Sequence, residues 1–295
     1  MRKTIIIFVL VISVSLYAVT PYIDSAPYDV RTDSLGVPVV DYGWLMGRYI
    51  GEQRYAVAIA DRADKSYRYF LETGDDEYLQ RFYANLGWLE TNKVEKEGFV
   101  VFPAGFDYPF YGCKAGWTSA MAQGLALKSY LHAYELSGNE SYLTTARRIV
   151  KSFSVEIEDG GVLYLDPDTG GYWYAEYGCE NPPGVLNGFW FALDGLYEYY
   201  NLTGDSEALV LYLRGLDELK HSLPDFDSGS WTYYDLEGYP SDLIYHNLHV
   251  QIMNDLYNQT GDEIFYEYSE RWRRYNYSSP RFGLMLAKNL FRKLL

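Results

Sequence analysis

The sequence predicts a mainly α-helical fold, an incomplete (α/α) toroid of helical hairpins with short β-strands in its rim loops. Three observations carry this expectation. A helix-ending phrase recurs four times, from Tyr69 to Gly74-Asp75, Tyr134 to Gly138-Asn139, Tyr200 to Gly204-Asp205 and Tyr257 to Gly261-Asp262, with the glycines 64, 66 and 57 residues apart. After these phrases come amphipathic stretches such as Tyr142 to Phe153 and Ala208 to Leu216, apolar at three and four spacing. Between the hairpins run long connections, 97–117, 154–184 and 223–244, rich in Gly, Pro, Asp and aromatic residues.

Each phrase reads as a helix stopped by a left-handed Gly, after which Asp or Asn caps the next helix. A hairpin of this kind cannot bury its own apolar face and has to stack on copies of itself. Closing the stack gives a ring whose inner helices deliver side chains to one rim, where ligand sites collect. An open α-solenoid is the alternative architecture. Short strands are expected in the connections, notably around Val162 to Leu165, with a turn at Asp166 to Gly170.

Taken in chain order, residues 1–26 read as a signal peptide or an N-terminal membrane anchor. Arg2 and Lys3 precede an apolar run from Ile5 to Val19, and polar residues follow it. That run is shorter than the roughly 20 residues that span a bilayer comfortably. The expected location is therefore exported, either extracellular or anchored to a membrane and facing away from the cytoplasm. Residues 27–114 read mainly as helices, the N-terminal part of the toroid, and residues 278–295 as a C-terminal helical tail. In an oxidising compartment the only two cysteines, Cys113 and Cys179, are a plausible disulfide. Their separation of 66 residues matches the repeat period.

Among 295 residues, 40 are acidic and 25 basic, a net charge of −15. Such a chain gains nothing from counterion release on a nucleic-acid backbone, so no nucleic-acid partner is expected. The unusual figure is the aromatic share of 18%, with 32 tyrosines against four histidines, which suits stacking on sugar rings as well as packing between helices. The starts of the expected inner helices carry polar residues set among small or apolar ones. Gln123 and Asn187 lie 64 residues apart, in phase with the repeat, and His246 and His249 follow Tyr245. Trp117, Trp173, Trp190 and Trp231 are candidates for sugar stacking. His246 and His249, and the acidic loops around Asp166, Asp168, Asp225 and Asp227, follow no metal-ligand pattern, so no metal is expected. No phosphate loop, dinucleotide fingerprint or nucleophile elbow occurs.

Several strings occur together in one order: Trp117 to Gly124, Trp173 to Tyr177, Val185 to Phe189 through Tyr197, Leu223 to Ser230, Tyr234-Asp-Leu236 and Tyr245 to His249. In this combination the chain resembles the C-terminal domain of the D-glucuronyl C5-epimerases, over residues 115–277. The resemblance implies an enzyme that inverts the carbon bearing the carboxylate of a glucuronate residue within a polysaccharide, giving iduronate, with no organic cofactor. A proton must leave one face of the ring and another return on the opposite face, so two groups share the work as base and acid. Donors aimed at the carboxylate stabilise the developing enediolate. Carried over by position, the resemblance makes Tyr177 and Tyr245 the proton-transfer pair, with Glu176 orienting them and Tyr234 binding substrate or sharing the relay. Gln123, Asn187, His246 and His249 are then the candidates to hold the uronate, and Trp117 and Trp173 candidates for stacking on the sugar or for burial between helices.

Departures accompany the resemblance. The animal enzymes place a β-rich domain with one further active-site tyrosine ahead of the helical domain; Tyr42, Tyr108 and Tyr111 are the candidates to replace it here. Asp242, Leu243 and Ile244 stand where those enzymes carry an Arg, and Ala175 replaces a Glu. A net charge of −15 repels a highly sulfated chain, so the expected partner is a weakly charged uronate polysaccharide. The competing readings are a lyase or a hydrolase on the same toroid, the latter using Glu176 with Asp235, and a glycan-binding protein without turnover. Nothing in the sequence specifies an oligomeric contact.

Overall fold

A computed structural model of the chain describes residues 29–167, 170–275 and 282–283. The expected leader at residues 1–26 lies outside them, as does the expected tail at 278–295 except for Phe282 and Gly283. Among the described residues, no helix is long and apolar enough to cross a membrane. The chain divides into two compact units, Tyr28–His221 and the part from Ser222 onward.

The first unit opens with strands rather than the helices expected after residue 27. Strand β1 (Asp29–Thr32) pairs antiparallel with β2 (Pro38–Asp41), placing Asp29 opposite Asp41. Strands β3 (Trp44–Leu45) and β4 (Arg48–Tyr49) form a separate hairpin, and β5 (Glu52–Gln53) pairs with β2. The reason is local. Asp33 Oδ1 accepts the Leu35 and Val37 amides and turns the chain. Pro38 and the β-branched Val40 then bury on one face of β2.

Helices α1 (Ala56–Thr73) and α2 (Asp76–Asn92) form the first hairpin. Helices α3 (Ala120–Ser137) and α4 (Glu140–Lys151) form the second, α5 (Leu186–Thr203) and α6 (Ser206–Ser222) the third. In the second unit, α7 (Leu243–Thr260) and α8 (Glu263–Arg273) form the fourth. All four corners are built as the recurring phrase predicts. Gly74, Gly138, Gly204 and Gly261 are left-handed, with φ of 69°, 65°, 69° and 70°. Each donates its amide to the carbonyl four residues back, and the Asp or Asn that follows accepts an amide of the next helix.

Within the second hairpin the two helices differ in character. Helix α3 is buried along nearly its whole length, from Ala120 to Ala133, whereas α4 buries only Ala146, Ile149 and Val150. The inner helices α3 and α5 pack closely because glycines face each other. A Cβ on Gly124 would lie 2.2 Å from the Phe191 carbonyl oxygen, and one on Gly195 2.6 Å from the Gly124 carbonyl oxygen. The connections carry the remaining strands, β6 (Val94–Glu95) with β7 (Val100–Val101), and β8 (Leu163–Leu165) with β9 (Tyr172–Tyr174), the last hairpin where the sequence places it.

Candidate active site

The β8–β9 hairpin delivers the string from Trp173 to Cys179 across the start of α3. Trp173 and Tyr174 anchor it in the interior. The Trp173 ring lies flat on Phe189 at 4.1 Å, and the Tyr174 hydroxyl donates to the Leu211 carbonyl at 2.7 Å. Beyond β9, the Ala175 carbonyl accepts the Ala120 amide and the Gly178 amide donates to the Thr118 carbonyl, both at 2.8 Å. A Cβ on Gly178 would lie 2.7 Å from that same carbonyl oxygen, so the approach requires a bare Cα.

These ties fix Glu176 and Tyr177, which are 7% and 6% exposed. The Glu176 carboxylate rests on the first turn of α5, where its Oε2 accepts from Asn187 Nδ2 at 3.4 Å. A side chain at position 188 is excluded, because its Cβ would lie 2.1 Å from that oxygen. The partial positive charge of a helix start favours a carboxylate there. Asn187 Oδ1 is buried with no hydrogen-bond partner among the described residues.

Tyr177 is enclosed by rings. Tyr108 stacks on it at 4.9 Å and Trp117 at 5.4 Å, while Tyr111 meets it tilted at 4.8 Å. The Cys113–Cys179 disulfide joins the loop that carries Tyr108 and Tyr111 to the segment that carries Tyr177, with its Cα atoms 5.1 Å apart. Tyr55 packs on Trp117 at 5.3 Å. Burial raises its phenol well above the usual range despite a hydrogen bond with Ser119, and the nearby Tyr42 and Glu176 charges act in the same direction as burial. Of the replacements considered for the additional tyrosine, Tyr108 and Tyr111 touch Tyr177, whereas Tyr42 packs on Phe106 at 4.9 Å. Tyr55 was missed because it stands alone at a strand-to-helix junction, outside any string.

The unit from Ser222 onward holds the other candidates. Tyr234 is buried and meets the half-buried Tyr245 edge to face at 4.8 Å. Asp242, in the segment where an Arg was expected, caps α7 by accepting the Tyr245 amide at 2.8 Å. Beneath them, Thr232 Oγ1 lies 2.9 Å from His246 Nδ1 and 3.1 Å from His249 Nδ1. His246 Nε2 faces the Trp272 carbonyl at 3.2 Å and must donate there, which leaves Nδ1 of the neutral ring as an acceptor; Ser241 Oγ, 2.7 Å from Thr232 Oγ1, shares the same hydroxyl. His249 Nε2 is a wholly buried atom with no hydrogen-bond partner among the described residues. Burial holds His246 neutral, with its pKa lowered to about 4. Burial and the His246 charge lower His249 to about 3.

Several expected substrate contacts receive internal duties instead. Gln123 is 1% exposed, its Oε1 accepting the Phe102 amide and its Nε2 donating to the Val100 carbonyl and Ser152 Oγ. It bridges buried backbone and is sealed from solvent. His246 is committed at both nitrogens and stacks on Trp231 at 3.7 Å; a neutral, fully bonded imidazole offers no charge to a carboxylate. Trp173 is spent on Phe189, and the Trp117 indole donates to the Phe106 carbonyl at 2.9 Å while one face supports Tyr177. Asn187 does stand beside Glu176.

A second feature lies deeper along the inner helices of the first unit. Lys128 on α3 pairs with Asp194 at 2.7 Å and Glu198 at 2.9 Å on α5, and approaches Asp64 on α1 at 4.0 Å. His132 Nε2 lies 3.1 Å from Asp64 Oδ1, and Arg68 pairs with Asp64 at 2.5 Å. The three carboxylates raise the Lys128 ammonium pKa in spite of burial, and burial raises the Glu198 carboxyl. Asp64, Lys128 and Asp194 each stand ten residues before a corner glycine. That register was a readable signal of an ion ladder between neighbouring repeats.

Inner helices, Gly corners and a rim of aromatic loops define the (α/α)-toroid class. The fold is similar to that of a sugar epimerase from a ruminal bacterium, at a TM-score of 0.55 and 16% identity over 77% of this chain and 60% of that one. It is also similar to the GH76 α-mannanase of Bacteroides thetaiotaomicron, at a TM-score of 0.54 and 14% identity over 82% and 62%. The profile of the D-glucuronyl C5-epimerase C-terminus matches residues 95–274, and the chain belongs to that family. It is 35% identical to an uncharacterized protein of Methanocaldococcus jannaschii over 88% of this chain and 90% of that protein. It is 30% identical to the D-glucuronyl C5-epimerase of Caenorhabditis elegans over 75% of this chain. The matched region spans 39% of the nematode enzyme, and about three-fifths of the two solved structures.

Proposed function

We propose that this chain is a uronyl C5-epimerase, converting D-glucuronate to L-iduronate residues within a polysaccharide. The observation that carries the reading is the Glu176–Tyr177 pair: a carboxylate on a helix start next to a phenol enclosed by three aromatic rings. A phenol can donate a proton to a carbanion, and its phenolate can remove one from the carbon beside a carboxylate. Removal leaves an enediolate, and delivery of a proton to the opposite face completes the inversion with no net change in atoms. The packed rings exclude water and hold Tyr177 to one orientation, which serves such a transfer. Tyr245 is the residue assigned by family position to the second proton transfer.

The substrate that suits a net charge of −15 is unsulfated or sparsely sulfated. Action outside the cytoplasm is supported by the leader-like N-terminal sequence and by the disulfide. The hydrolytic alternative finds less support: Asp235 is wholly buried and its Oδ1 accepts the Tyr239 amide, a poor setting for activating water.

The test is incubation with glucuronate polymers in heavy water. Deuterium at the carbon beside the carboxylate, in chains of unchanged length, is the expected result, and it should vanish in Tyr177→Phe and Tyr245→Phe. Shortened chains with an unsaturated end mean a lyase, shortened saturated chains a hydrolase, and no label on any uronate polymer means no epimerase.

A further inference from the structure

The β3–β4 hairpin stands out from the rest of the first unit. Its register pairs Trp44 with Tyr49 and Leu45 with Arg48, so a two-residue turn, Met46-Gly47, closes it. Both turn residues are left-handed, with φ of 49° and 74°, the geometry that matches the twist of a tight hairpin. Met46 is the only non-glycine with positive φ among the described residues, a strained choice at a position that glycine fills at no steric cost.

What the hairpin presents is a pair of uncovered rings. Trp44 is 71% exposed and Tyr49 63%, and as directly paired strand residues they share one face, with centroids 5.5 Å apart and planes at 55°. Tyr49 is held in place from behind. A Cβ on Gly51 would lie 3.0 Å from its ring, so the ring rests on bare backbone. Single exposed apolar residues are ordinary, but two adjacent aromatics fixed side by side make a contact surface.

The hairpin is fastened at both ends to the loop that covers Tyr177. At its base, the Tyr42 ring packs on Phe106. Next to its tip, Arg48 pairs with Asp107 at 2.5 Å, and Asp107 immediately precedes Tyr108, which stacks on Tyr177. Lys114 also reaches Asp107, at 3.4 Å, so two cations surround one carboxylate whose other oxygen is taken by the Ala115 amide.

We infer that Trp44 and Tyr49 form a sugar-binding platform, which stacks on a pyranose ring of the uronate polysaccharide next to the reacting residue, with Arg48 and Lys114 facing its carboxylate. An aromatic face fits the apolar face of a pyranose, and the two cations select an acidic sugar over a neutral one. The inference rests on the proposed function for the identity of the polymer.

The experiment measures binding of an unsulfated glucuronate polymer to the full chain by calorimetry, for the wild type and for Trp44→Ala, Tyr49→Ala and Trp44→Phe. Affinity should fall between about threefold and tenfold in each alanine variant and recover largely in Trp44→Phe. Melting temperatures should hold, because both rings are mostly exposed. Undiminished binding by Trp44→Ala overturns the platform. So does a change in sedimentation with unaltered polymer binding, which makes the hairpin a contact between copies of this chain. Wild type that binds through Trp44 but exchanges no deuterium keeps the platform and overturns the epimerase reading. Exchange with full affinity in Trp44→Ala does the reverse. A wild type that binds no uronate polymer overturns both.

Discussion

Tyr177 and Tyr245 lie in strings that match the same family, yet their surroundings differ. Tyr177 is nearly buried, meets three rings and lies two residues from a disulfide cysteine. Tyr245 is half-buried at a helix start, where it meets Tyr234 edge to face, above a polar core of Thr232, His246 and His249. The hairpins beneath them differ in parallel. At the register where the first three repeats place Asp64, Lys128 and Asp194 in contact, the fourth has Gln251, exposed and bonded to Asp255. A repeat therefore copies its corner faithfully while each copy builds its own interior, rigid and ionic in one unit, neutral and histidine-centred in the other.

The largest expected effect is on Tyr177. Replacement by Phe keeps the stacked rings, and should reduce deuterium exchange by about 10² to 10⁴-fold while leaving the melting temperature nearly unchanged. A folded variant with undiminished exchange would remove Tyr177 from the chemistry and put the burden on the other unit.

Acid distinguishes the units next. His246 and His249 are lowered in the fold, to about 4 and 3, below the unfolded value near 6.5, so they bind fewer protons folded than unfolded. Their contribution is fully present above pH 6.5 and is lost as the pH falls through about 4 and then 3. Glu198, raised by burial above the ordinary carboxyl value, acts in the opposite sense. Urea midpoints should hold from pH 7.5 to 6.5 and then fall towards pH 4.5 in the wild type, and fall more gently in His249→Gln.

The disulfide follows. Cys113 and Cys179 close a loop of 66 residues, which in the chain-entropy account stabilises by about 4 kcal/mol. Reduction, or Cys113→Ser with Cys179→Ser, should lower the melting temperature and loosen Tyr108 and Tyr111 from Tyr177, so that exchange falls as well. Activity retained in full after reduction would mean that ring packing alone positions the site.

The smallest effect concerns the ion ladder. Lys128→Met leaves Asp64, Asp194 and Glu198 facing one another without their shared cation, at a cost of roughly 3 kcal/mol in urea unfolding. Pairing it with Asp194→Asn should recover part of the loss.

What could be read in advance was whatever is specified locally. The four corners were legible because a left-handed Gly followed by an Asp or Asn cap needs no distant partner, and the β8–β9 hairpin because its turn lies within the sequence. Strands β1 to β5 were misread as helix because the valines that identify them are few, and the Asp33 turn that organises them is a side-chain bond. Gln123 looked like a ligand group because polar residues on buried helices attract that reading. Its partners, Phe102, Val100 and Ser152, lie 21 to 29 residues away and leave no local mark. The ion ladder was visible only as a register, and His249 only as a residue type.

The corners also carry a consequence for chemistry performed on the protein. A methyl group built on Gly74, Gly138, Gly204 or Gly261 meets no atom within 4 Å, so handedness alone bars a side chain there. A mirror-image residue such as D-alanine, introduced by chemical synthesis, has the left-handed backbone preference that each of these corners requires.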